Sequence, residues 1–164
     1  MRNIILIAHN VRSTHNVGSL LRTAEGLGIE KVFLTGYTPY PLHDRDQRLP
    51  HIARKLDDQI HKTALGAETL VDWAHDNDIS KVLDTLQHEG YQLCAVEQAL
   101  HSIALPEFKV PDKLAIIVGR EVEGIEPEVL AAVDKVLEIP MFGEKESFNV
   151  VQAAAMTLYH CRFS

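Results

Sequence analysis

Apolar and polar positions along the chain switch period several times. Asn3–His9 is a short, almost unbroken apolar run, the pattern of a buried strand. From Asn16 to Leu27 the apolar residues Val17, Leu20, Leu21, Ala24 and Leu27 recur at helical spacing. Lys31–Thr35 predicts a second strand, and a loop marked by Pro and Gly follows it through Pro50. The segment KTALGAETLVDW fits neither period cleanly, and Thr69–Trp73 is its best stretch for a short strand. Ser80–His88 has helical periodicity, which Gly90 ends. Tyr91–Val96, Leu114–Val118 and Lys135–Ile139 predict further strands. Pro127–Val133 predicts a short helix with proline in its first turn, and Asn149–His160 a closing helix.

Strands alternating with helices imply an α/β fold, a mainly parallel sheet with helices on both faces. At 164 residues, with no internal repeat, low-complexity stretch or linker, one domain over residues 1–164 is expected. In the closing helix, Val150, Val151, Ala153, Ala154, Ala155, Met156 and Leu158 leave little polar face. A helix of that kind needs burial on more than one side, which a subunit interface would supply.

Composition removes some possibilities. No apolar run approaches the ~20 residues of a membrane helix, and Ile4–Ala8 is too short for a signal-peptide core. Cys94 and Cys161 are isolated, which favours a reduced, cytoplasmic setting. The nine histidines show no metal-ligand spacing, so no metal is expected. The net charge of −7 is unfavourable for nucleic-acid binding, but it is unevenly spread. Residues 1–62 carry a net +3 and residues 63–164 a net −10. Arg45, Arg48, Arg54, Lys55 and Lys62, interspersed with His43, His51 and His61, form a loosely basic stretch. It is either a solvated surface or a phosphate-facing patch.

Ligands of open parallel sheets sit beyond the carboxyl ends of strands. Gly119 and the pair Pro140–Met141 both follow predicted strands there. Gly119 either makes a tight turn or lets backbone approach a ligand. Gly26 and Gly28 lie at a helix end rather than its start, which excludes a dinucleotide-type phosphate loop. Arg22 lies about 140° around its helix from Val17, away from the apolar stripe. Ser147 and Asn149 suit the N-cap of the last helix.

Three stretches, NVRSTHNVGSLLRTAEGLG (Asn10–Gly28), VGREVEGI (Val118–Ile125) and IPMFGEKESFNVVQAA (Ile139–Ala154), resemble the motifs of the SpoU/TrmH group of RNA ribose methyltransferases in the SPOUT superfamily. They stand in the same order and at similar spacing, and the likeness runs from Asn3 to about Tyr159. The resemblance implies a C-terminal trefoil knot, which pattern alone does not reveal, and a homodimer that the last helix helps to form. It implies S-adenosylmethionine as cofactor, held by Gly119, Ile139 and Phe148, with Met141 as an apolar wall and Val96 or Glu97 as further contacts. Arg22 falls on the family's catalytic arginine, Asn16 on its conserved asparagine and Glu121 on the second-motif glutamate. Ser147 and Asn149 match the third motif, while Asn10 and Arg12 fall on positions that contact RNA or shape the loop. Glu123 and Glu126 are read as loop carboxylates without that role. Val151 departs from the pattern, standing where members often carry a small polar residue.

The implied reaction is methyl transfer from S-adenosylmethionine to a ribose 2′-hydroxyl of tRNA or rRNA. Arginine is often described as the general base, yet a guanidinium stays protonated in proteins. Gripping the phosphate beside the target ribose and stabilising the developing alkoxide suits it better. Met1 almost opens the first strand, so no N-terminal RNA-binding module is expected. The rival readings are a non-catalytic RNA-binding or ribosome-assembly protein that kept the fold, and a methyltransferase for small molecules or proteins.

Overall fold

A computed structural model describes residues Met1–Ser164. The strands are β1 (Asn3–His9), β2 (Lys31–Thr35), β3 (Trp73–Asp76), β4 (Gln92–Val96), β5 (Ile103–Ala104), β6 (Lys113–Val118) and β7 (Lys135–Glu138). All seven join one sheet in the order β3-β2-β1-β6-β4-β7-β5, and every pairing is parallel. The helices are α1 (Thr14–Gly26), α2 (Pro50–Ala64), α3 (Ile79–His88), α4 (Pro127–Ala132) and α5 (Val150–Phe163).

The two-residue period of the central strands divides the core. Ile4, Leu6 and Ala8 of β1, with Leu114, Ile116 and Val118 of β6, pack on one face against α1, α2 and α5. Ile5, Ile7, Ala115 and Ile117 point to the other face, where α3 and α4 bring Val82, Leu83, Leu86 and Val129. Both faces are thus covered, which explains why these strands read as unbroken apolar runs.

Two local expectations are corrected. Helix α2 occupies a stretch that the sequence pattern left unassigned, because it buries only Ala53, Ile60 and Ala64 beneath an otherwise charged surface. Thr69–Trp73 is not a strand. The left-handed Leu65 ends α2, Ala67–Thr69 forms a 3-10 turn, and β3 begins only at Trp73. The edge strand β5 is also new, its two residues being too few for a periodic signal. Elsewhere the boundaries agree within a few residues.

Candidate active site

The loops after β4, β6 and β7 enclose a cleft of about 430 Å³ at the carboxyl edge of the sheet. That size lies within the roughly 300–1,000 Å³ of typical small-molecule sites. Val96, Glu97, Gly119, Ile139, Met141 and Phe148 all line it, as do Glu121 and Ser147. Val150 and Ala153, from the first turns of α5, add to the wall. Both fall inside the third motif stretch, Ile139–Ala154, although sequence alone assigns neither a role at the site.

The loop between β6 and α4 is held from three directions. Glu97, at the end of β4, accepts the Ile125 N–H through Oε2 at 3.0 Å. The same carboxylate lies over Gly124, whose φ of 71° is in the left-handed region that favours glycine. Asn16, in the first turn of α1, donates its amide to Glu121. Asn10 donates through Nδ2 to Glu126 Oε1 at 2.7 Å, anchoring the end of the loop to the end of β1.

Behind this loop lies a half-buried polar group of which only Arg120 falls inside a motif stretch. His9 Nδ1 is 2.9 Å from Thr35 Oγ1, and His9 Nε2 is 3.3 Å from Glu126 Oε2. Arg120 donates to the Gly124 carbonyl at 3.0 Å and lies 3.7 Å from Glu126. Burial holds the His9 imidazole below its ordinary value, only partly offset by Glu126. Burial pushes the Glu126 carboxyl up, but its own backbone N–H, the Asn10 amide and the nearby His9 and Arg120 outweigh that and leave it lowered. Glu126 is therefore a structural anchor of the cleft rather than a bystander. Its partners come from elements distant in sequence, so no local spacing reveals it.

The remaining predicted residues divide by what occupies their side chains. Arg22 is exposed on α1, opposite the buried Val17, Leu20, Leu21 and Ala24, and it enters none of the ion pairs of the chain. Asn149 caps α5, accepting the Val151 N–H at 2.8 Å. Arg12, Arg45, Arg54 and Lys55 are exposed. Asn10 and Arg48, by contrast, have partners within the chain. Asn10 has φ 55°, and its amide oxygen accepts the Tyr37 N–H at 3.0 Å while its nitrogen serves Glu126, so both ends shape the loop. Arg48 is half-buried: it pairs with Asp46 at 2.5 Å, donates to the carbonyls of Tyr40 and Pro41 at 3.0 Å each, and lies 3.7 Å over the Tyr40 ring. It staples the loop after β2.

A wholly parallel sheet with a partly apolar cleft at its carboxyl edge defines the class: an α/β domain with a cleft of small-molecule size. The SpoU rRNA methylase family matches residues 3–159, and the chain belongs to that family. The tRNA (guanosine(18)-2′-O)-methyltransferase of Aquifex aeolicus is 24% identical over 161 residues, covering 98% of this chain and 69% of that enzyme. A 23S rRNA (guanosine-2′-O-)-methyltransferase of Neisseria meningitidis is 27% identical over 159 residues, covering 97% of this chain and 58% of that one. The chain therefore spans only part of the length of these relatives. The AdoMet-bound rRNA methyltransferase of Sinorhizobium meliloti shares the fold, with a TM-score of 0.82 at 20% identity over 99% of this chain and 57% of that one.

Proposed function

We propose that the protein transfers a methyl group from S-adenosylmethionine to a ribose 2′-hydroxyl of tRNA or rRNA. The observation that carries this reading is the convergence of Val96, Glu97, Gly119, Ile139, Met141 and Phe148 on one cleft at the carboxyl edge of the sheet. The donor set suits the cofactor, with apolar side chains for a flat base and loop backbone for polar edges, while Gly119 lets Ile125 pack close beneath the loop. When bound there, S-adenosylmethionine supplies an electrophilic sulfonium methyl. Asn16 and Glu121 tie α1 to the cleft loop, fixing the helix that carries Arg22 relative to the cofactor. The guanidinium of Arg22 grips the phosphate beside the target ribose and steadies negative charge developing on the 2′-oxygen.

The exposed side of α5 supports a homodimer. Met156, Tyr159 and Phe163 lie on it, the last two 61% and 66% exposed with their rings 4.8 Å apart, and such a patch is what an interface covers. The C-terminal trefoil knot belongs to the same reading. An RNA substrate and the unpaired thiols of Cys94 and Cys161 suit a reducing, cytoplasmic setting.

The test is methyl transfer from labelled S-adenosylmethionine to unmodified total tRNA and rRNA, with Arg22→Ala beside the wild type. Label entering one RNA class, and lost in the variant, supports the reading and names the substrate. Cofactor binding without transfer to either RNA points instead to a non-catalytic RNA-binding protein.

A further inference from the structure

The carboxyl edge of the sheet carries a second cleft, of about 340 Å³, beyond β2 and β3. Arg12, Thr14, Tyr37, Thr38, His75 and Asn77 are among its lining residues, and none of them lines the cofactor cleft. Tyr37 is 52% exposed, and the guanidinium carbon of Arg12 lies 6.0 Å from the centroid of its ring. A flat ring inserted between two others needs two layers of about 3.5 Å, roughly 7 Å in all. The exposed Arg12 and Tyr37 therefore stand about 1 Å short of a sandwich for one aromatic ring, by the same contact distances.

The surroundings are rigid where the pair is free. Tyr40 is stacked on His75 at 4.0 Å and carries the Arg48 guanidinium at 3.7 Å, so its ring is already occupied and forms part of the frame. Thr38 accepts the Val11 N–H at 3.0 Å and donates to the Ala8 carbonyl at 2.9 Å, locking the two loops together. His75 Nδ1 donates to the Leu34 carbonyl at 2.8 Å, and its Nε2 lies 3.0 Å from the Asn77 side-chain amide, so both side chains belong to the frame. Asn10 ties this cleft to the first, since its amide binds Tyr37 N–H on one side and Glu126 of the cofactor loop on the other.

We propose that the Arg12–Tyr37 cleft is a stacking subsite for an unpaired base of the RNA substrate. The base slides between the guanidinium and the phenol ring. Guanidinium planes and aromatic rings are the groups on which splayed RNA bases stack. The subsite deepens the methyltransferase reading and rests on it: one nucleotide clamped here sets how the strand crosses the cofactor cleft.

Ultraviolet irradiation of the full-length protein with unmodified total tRNA, and separately with rRNA, followed by peptide mapping, locates stacked bases. The expected adduct is on Tyr37. Tyr37→Ala should weaken RNA binding and raise the KM for RNA about tenfold, whereas Tyr37→Phe retains both. Affinity for S-adenosylmethionine should not change in either variant, since Tyr37 lies outside the cofactor cleft. Wild-type RNA affinity and KM in Tyr37→Ala would overturn the subsite and leave Arg12–Tyr37 as an ordinary surface pair, with the enzyme reading intact. If the wild type binds the cofactor but neither binds nor methylates RNA, the functional reading falls and the subsite with it.

Discussion

Arg22 combines a motif position with an exposed side chain that enters none of the ion pairs of the chain, as the proposed contact with substrate requires. Replacing it by alanine should lower the methyl-transfer rate by about 10²–10³, the usual loss when a positioned donor is removed. Lysine carries the same charge but lacks the planar fork, so Arg22→Lys should stay near the alanine level. Titration of S-adenosylmethionine into both variants should give the wild-type affinity, and activity retained in the lysine variant would favour a proton-accepting role instead. Cys94 and Cys161 show the opposite case. Burial pushes both thiols up to about 12, so neither should react with a thiol reagent until the protein unfolds.

Among the elements, the α1–α2 pair depends most on one small residue. A Cβ at residue 18 would run into the Ile60 carbonyl and the Thr63 hydroxyl, so α2 can lie this close to α1 only over glycine. Gly18→Ala gains roughly 0.5–1 kcal/mol of helix propensity. Overpacking against backbone costs about 1–3 kcal/mol, and α2 cannot withdraw without uncovering Ile60. The melting temperature should therefore fall. Gly26→Ala, at the end of the same helix with nothing within 4 Å of the added carbon, should leave it unchanged or raise it. The pair of variants separates close packing from propensity.

At the scale of the whole molecule, acid and association are the two levers. The imidazole of His9 is held below 6.5 in the fold, so the unfolded chain takes up that proton first. Its contribution to stability is complete above pH 6.5 and lost as the pH falls toward the lowered folded value. Glu126, lowered from 4.5, adds a second loss at more acid pH, when it is protonated. His61 acts in the other sense, because Glu68 raises its pKa and favours the fold on the acid side. The telling measurement is thus a difference: His9→Gln should melt with a shallower decline below pH 6.5 than the wild type. For association, Tyr159→Glu on the exposed face of α5 should shift a dimer toward monomer in sedimentation, and a monomeric wild type would overturn the dimer.

Most of the framework was legible in the chain itself. The apolar runs of β1, β2, β4, β6 and β7 and the helical spacing of α1, α3, α4 and α5 come from local periodicity, which needs no tertiary knowledge. Local turn chemistry placed loops after β4, β6 and β7, but the residues expected at the cleft came from the resemblance of the three motifs, and they do line one cleft. Sequence also placed Arg22 away from the core, since 100° per residue is a property of the helix alone. It was silent where the deciding partner lies far along the chain. Helix α2 is specified by small residues whose value appears only against Gly18. Arg48 and Asn10 look like free polar groups until the folded loops consume them, and Glu126 gains its role from His9 and Asn10 more than 110 residues earlier. Periodicity and turn chemistry act over a few residues and can be read in order, whereas burial and hydrogen-bond partnership exist only once distant segments meet.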